Sequence, residues 1–138
     1  MKLLIPHVMS SDHAEELSEG AHQRDFFEPL IEPITQKVSE HVEVDFSHPS
    51  YCEVQHYPTG HGWHKDTGNF NHMDWCGYTA SVLLTPPEDF AGGKFYFEDE
   101  DEPIFNYLDL LIYSSDVVHR VTPHGGNRRV LLLFMKGR

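Results

Sequence analysis

Leu108–Phe134, LDLLIYSSDVVHRVTPHGGNRRVLLLF, is the stretch that decides the fold class. It holds three short runs, LDLLIYS, VVHRV and RRVLLLF, rich in β-branched, aromatic and leucine side chains. Each is long enough for a strand and too short for a stable helix. The Gly- and Asn-containing turn PHGGN separates the last two. The same texture extends toward the N-terminus through VEVDF, YCEVQHY, YTASVLL and KFYFED, divided by YPTGHG, TPPEDFAGG and EDEDEP. So many short strands in so little chain predict an antiparallel sandwich or jelly-roll barrel, with a pocket at its mouth.

Before residue 42 the texture is helical. Asp12 with Glu15 three residues later predicts a capping-box start for a helix over 12–20. Phe26, Leu30, Ile34 and Val38 recur every four residues and form an apolar stripe. Pro29 and Pro33 interrupt it, which predicts two pieces with Pro33 in the first turn of the second. The expected architecture is α+β, mainly β: one domain over 1–138, with 1–45 as helical support packed on one sheet and 46–138 as the jelly-roll core.

The 138 residues suit a single domain with a real core, and 39% hydrophobic content argues against disorder. A net charge of −12 argues against nucleic acid or an anionic membrane as a partner, because both require local positive charge. No apolar run approaches the roughly 20 residues of a membrane span. MKLLIP is too short for a signal-peptide core. Cys52 and Cys76 allow at most one disulfide, which points to a reducing cytoplasm. The unusual count is 11 histidines.

Residues i and i+2 of a strand face the same way, so His64 and Asp66 can project together as two metal ligands. Two His and one carboxylate on one face of an octahedron suit non-haem Fe(II). Chance alone supplies about one His-x-Asp step in a chain this rich in both, and His72-Met73-Asp74 is a second. Context favours the first pair, which follows a strand and a Gly-containing turn; His72 and Asp74 fall in a loop expected to cover the pocket. His119 in VVHRV is the leading third ligand, and His124 in the PHGGN turn reads as solvated surface. His56, His61 and His64 form a competing zinc set without a well-spaced fourth ligand. Arg128 or Arg129, on opposite faces of the last strand, could hold a carboxylate, since a buried arginine requires an anion. Trp63 reads as core or as a shield for the metal. Phe70, Met73 and Trp75 in the long 67–77 segment could form a substrate lid. The acidic run Glu98–Glu102 reads as a solvated hairpin tip.

Together, Tyr57-x-x-Gly60, His64-x-Asp66, YTASVLLT, FAGGKFYF, LDLLIYSS and His119-RVTP-x-x-Gly126-Asn127-Arg128 resemble the 2-oxoglutarate- and Fe(II)-dependent oxygenases, most closely their prolyl 4-hydroxylase-like branch. The resemblance covers about 50–136 and implies a double-stranded β-helix. It implies iron on His64, Asp66 and His119, the distal carboxylate of 2-oxoglutarate on Arg128 with Arg129 as alternative, and a co-substrate hydrogen bond from Tyr57. It further implies O2 as oxidant, ascorbate as a possible reductant, and hydroxylation of a C–H bond with release of succinate and CO2. The substrate would be a peptidyl prolyl residue or, alternatively, a free small molecule. Two positions depart from the pattern: Leu83 stands where some relatives carry a tyrosine, and Leu108 where the family usually has glycine, a change expected to alter the turn. A non-catalytic barrel that binds metal or 2-oxoglutarate is the competing reading, and a nucleic-acid demethylase a third, disfavoured by the charge.

Overall fold

The computed structural model describes residues 1–20, 22–48, 51–68 and 73–138. Eleven strands are described: β1 Lys2–Ile5, β2 Gln23–Arg24, β3 Tyr51–Gln55, β4 His61–His64, β5 Cys76–Leu83, β6 Phe90–Gly92, β7 Phe95–Phe97, β8 Leu110–Ser114, β9 His119–Val121, β10 His124–Gly126 and β11 Val130–Lys136. Two α-helices, α1 Ser11–Ser18 and α2 Glu32–Ser39, complete a mainly-β chain. Six strands pair in the order β1-β8-β5-β11-β3-β2; β4-β9-β7 form a smaller sheet, and β10 pairs with β6. All pairings between these strands are antiparallel.

Alternation along the six-stranded sheet separates two environments. Cys52, Val54, Ala80, Val82, Leu110, Ile112, Leu131 and Leu133 face α1 and α2 and pack against Ala14, Leu17, Ile34 and Val38. The intervening residues, among them Gln55, Ser81, Tyr113, Val130 and Leu132, turn to the opposite face and line a cavity closed by the smaller sheet. A second apolar cluster, Phe95, Phe97, Leu111 and Tyr113, packs beside that cavity.

The helices form as predicted, with corrected ends. The α1 cap is Ser10, whose hydroxyl accepts from the His13 N–H at 3.1 Å, while Asp12 sits in the first turn. Pro33 does lie in the first turn of α2, where a missing N–H costs nothing. The stretch around Pro29 is a run of turns rather than a helix. VEVDF contributes only an isolated bridge between Val44 and Gly137. The first 45 residues are not purely helical support, because β1 and β2 supply both edges of the large sheet. Leu108 adopts φ +61°, the left-handed conformation that glycine favours, so leucine occupies that conformation at about 1–2 kcal/mol of steric cost. Both cysteines are free and buried. Among the described residues no helix is long and apolar enough to cross a membrane.

Candidate active site

β4 and β9 are antiparallel partners, and their register sets His64 directly opposite His119. The rings approach to 4.3 Å between centroids. β4 carries a bulge between His61 and His64, opposite Val121 and His119 respectively. The extra residue re-aims the strand, as bulges beside active sites do, so two histidines three apart both line the cavity. Asp66 lies just beyond β4 and is anchored by its backbone N–H, which donates to Ser115 C=O at 2.9 Å.

Ligand atoms of His64, Asp66 and His119 all lie within 4.8 Å of one another, and among the described residues no other such group of three occurs. Asp66 Oδ1 is 3.4 Å from Nε2 of each histidine. The opposite ring nitrogens are committed elsewhere: His64 Nδ1 donates to Gly62 C=O at 2.6 Å and His119 Nδ1 to Val117 C=O at 2.9 Å. With Nδ1 so committed, Nε2 is the atom that each ring turns toward Asp66, and the one that would present its lone pair to a bound metal. Asp66 Oδ2 accepts from Thr79 Oγ1 at 2.8 Å and from Tyr113 OH at 3.2 Å, leaving Oδ1 to face the histidines. Burial works to raise the Asp66 carboxyl, but hydrogen bonds from His119, His64 and Thr79 prevail and hold it well below the usual carboxylate range. The hydrogen bond to Asp66 raises His64 against the opposing effect of burial. Phe95 stacks on the His119 ring at 5.3 Å.

The cavity measures about 290 Å³, at the small end of ligand sites. Arg128 lines it, and Arg129 does not; Arg129 lines a separate polar cleft beside Ser11 and Glu15 of α1. Arg128 is buried, its Nε has no hydrogen-bond partner among the described residues, and burial lowers its guanidinium to about 10, which leaves it charged at neutral pH. A buried cation of this kind is a seat for an anion.

Other expectations meet a different structure. Tyr57 does not line the cavity: it is 47% exposed and packs on His61 at 4.6 Å, because β3 ends at Gln55, which takes the cavity-facing position. Trp63 is neither core nor shield; it is 49% exposed and carries the Arg120 guanidinium on its face at 4.7 Å. His124 is buried rather than solvated, because the PHGGN segment forms β10 against β6 and seats the ring 5.2 Å from His56. His56 lies outside the cavity with its Nδ1 on Arg128 C=O at 3.0 Å, and among the described residues it joins no metal-ligand group with His61 and His64. Glu98–Glu102 is exposed as expected, with Lys2 bridging Asp99 and Glu100 at its tip. Met73 lines the cavity and Trp75 packs on His48; Phe70 and His72 lie outside the described residues. Leu83 is buried, and Ser81, two residues earlier, lines the cavity.

The supporting residues Thr79, Tyr113 and Ser115 have no motif. Their signal is polar side chains at alternate positions of otherwise apolar strands, in YTASVLL and LDLLIYSS.

No family model matches the chain. A PKHD-type hydroxylase of Gloeothece citriformis is 34% identical over 67 residues, 46% of this chain and 30% of that protein's length. A Pseudomonas putida prolyl-4-hydroxylase superposes with a TM-score of 0.71 at 17% identity, covering 99% of this chain and 88% of the other. The viral collagen prolyl hydroxylase of Paramecium Bursaria Chlorella virus-1, in a 2-oxoglutarate complex, gives 0.71 at 12% identity over 99% and 96%. A Trichoplax adhaerens prolyl hydroxylase bound to a hypoxia inducible factor peptide gives 0.67 at 18% over 99% and 83%. The chain is thus similar to prolyl hydroxylase-like 2-oxoglutarate/Fe(II) oxygenases, in sequence over part of its length and in fold over nearly all of it.

Proposed function

We propose that residues 1–138 act as one oxygenase domain, a double-stranded β-helix that hydroxylates a substrate C–H bond using Fe(II), 2-oxoglutarate and O2. The observation that carries this is the convergence of two imidazole Nε2 atoms, one carboxylate Oδ1 and a buried arginine on a single small cavity. The donor set fits a divalent iron and leaves coordination positions for a chelating co-substrate. His64, Asp66 and His119 would hold the ion; bound there with 2-oxoglutarate, it would supply the oxidising power for hydroxylation, with succinate and CO2 released.

The chain's own contribution is positioning. Backbone carbonyls of Gly62 and Val117 fix the two imidazoles, Thr79 and Tyr113 fix the carboxylate, and Arg128 takes the distal carboxylate as a charge-assisted pair. Apolar walls from Phe95, Val121, Val130 and Leu132 exclude water. A cavity of about 290 Å³ accommodates the co-substrate and little more, so a larger substrate presents one residue at the mouth. A peptidyl residue, prolyl by likeness to the neighbours, is the favoured substrate; a cytoplasmic setting suits two buried free thiols.

The test is an anaerobic titration of the apo-protein with Fe(II) and then 2-oxoglutarate, followed by the visible charge-transfer band of the chelate. The band is expected in the wild type and absent in His64→Ala and His119→Ala, with the fold retained by circular dichroism. Iron loading without a band in the wild type would move the protein to a metal-binding barrel without this chemistry.

A further inference from the structure

A third histidine lines the cavity beside the two candidate ligands. His61 lies 5.5 Å from His64 between ring centroids, and the bulge in β4 turns both inward. Its ring is wired differently. His61 Nε2 is 3.3 Å from Gln55 Oε1, and Gln55 Nε2 donates to Glu53 Oε1 at 3.3 Å. Glu53 is buried; its Oε2 accepts from Tyr51 OH at 2.8 Å and lies 2.8 Å from His22 Nε2.

The directions of these bonds follow one from another. A carboxylate only accepts, so the Gln55 NH2 must face Glu53 and its amide oxygen must face His61. An amide oxygen also only accepts, so the proton of His61 sits on Nε2 and the lone pair on Nδ1. His64 and His119 are wired differently, because their Nδ1 atoms donate to backbone carbonyls. His61 therefore presents its other ring nitrogen, Nδ1, as the acceptor, and among the described residues it does not join the metal-ligand group. We infer that Glu53 and Gln55 form a relay that holds His61 with Nε2 as donor and Nδ1 as hydrogen-bond acceptor for a substrate backbone N–H at this cavity. The inference deepens the oxygenase reading and rests on it for the word substrate. His61 is then a specificity residue, and Gln55 and Glu53 are positioning residues.

The relay is tested in the apo-protein by long-range ¹H–¹⁵N correlation of the histidine rings at pH 7.5. The expected result is the Nε2–H form for His61, and loss of the single His61 form in Gln55→Leu and in Glu53→Gln. A wild-type His61 that is Nδ1–H, mixed or doubly protonated, or one unmoved by Gln55→Leu, overturns the relay. The acceptor role is tested on protein loaded with Zn(II) and 2-oxoglutarate, with acetyl-proline N-methylamide and its N,N-dimethylamide as probes. The N-methylamide, which has the N–H donor, is expected to shift His61 Nδ1 at concentrations at least ten-fold below those of the dimethylamide. Equal shifts, or none with either amide, overturn the acceptor role. Neither result depends on the iron chelate band, so an absent band with an intact relay sinks the oxygenase reading alone.

Discussion

Gly93 is the floor on which Arg128 rests: a Cβ at Gly93 would stand 2.5 Å from Arg128 Cδ and 3.0 Å from its Nε. Gly93 has φ +61°, so the backbone at this point is one that glycine adopts without strain. Gly93→Ala is therefore expected to cost about 1–2 kcal/mol in stability. It should also lower 2-oxoglutarate affinity about ten-fold, because the guanidinium must move off its seat. Gly125→Ala, where an added Cβ meets nothing within 4 Å, is the control and should stay within about 0.5 kcal/mol of wild type with affinity unchanged. Isothermal titration with 2-oxoglutarate and urea unfolding separate the two effects.

Arg128 and Arg129 are neighbours in sequence that line different hollows, and only Arg128 shares one with the histidine–aspartate group. Arg128→Ala should weaken 2-oxoglutarate binding at least about thirty-fold, the equivalent of about 2 kcal/mol for losing one partner of a buried charge pair. Arg128→Lys should fall between, since an ammonium keeps the charge and loses the bidentate fork. Arg129→Ala should leave affinity unchanged. A larger loss in Arg129→Ala than in Arg128→Ala would reverse the assignment.

The hydrogen bonds to Asp66 Oδ2 make a separable contribution. Thr79→Val keeps the shape of the side chain and removes the donor at 2.8 Å; Tyr113→Phe removes the one at 3.2 Å. Partners in the shell outside the ligands typically contribute 10–100-fold in metal affinity. Each variant is expected to lose Fe(II) affinity in that range, read by competition with a chelator, with a native circular dichroism spectrum. Unchanged affinity in both would mean that Asp66 is held by its backbone anchor to Ser115 alone.

What could be read from the sequence was the chemistry that residue type and local period encode. His64 and Asp66 come together as their spacing requires, although β4 ends at His64 and Asp66 is held by Ser115. His119 arrives because an apolar strand carries it to the facing sheet. What stayed hidden depends on tertiary partners. KLLI becomes β1 only because β8 offers an edge. The glycine-rich segments of β6 and β10 have no strand propensity, and they pair through backbone alone. That pairing buries His124, which local composition places at the surface. The bulge that turns His61 inward is set by the register with β9, and Tyr57 is lost to the site because β3 stops two residues short of it.

Cys52 connects burial to a pH dependence away from the metal site. Its side chain is packed in the core on the helix-facing side of β3, and burial, together with the nearby Glu28 charge, pushes the thiol up to about 12. In the unfolded chain a thiol titrates near 8.5. Above that pH the unfolded state releases a proton that the folded state retains, so stability falls as pH rises from about 8.5 toward 12. Below it both states are protonated and Cys52 contributes no slope. Urea midpoints should therefore be flat with respect to this group between pH 7 and 8 and decline by pH 10. In Cys52→Ala the decline should be smaller than in wild type, even though the variant starts lower because a buried sulfur is lost. Iodoacetamide at pH 8 should leave the folded protein unmodified at Cys52 and label it on unfolding in urea. Rapid labelling of the native protein would show that β3 opens to solvent, contrary to the packing of Cys52 against the helices.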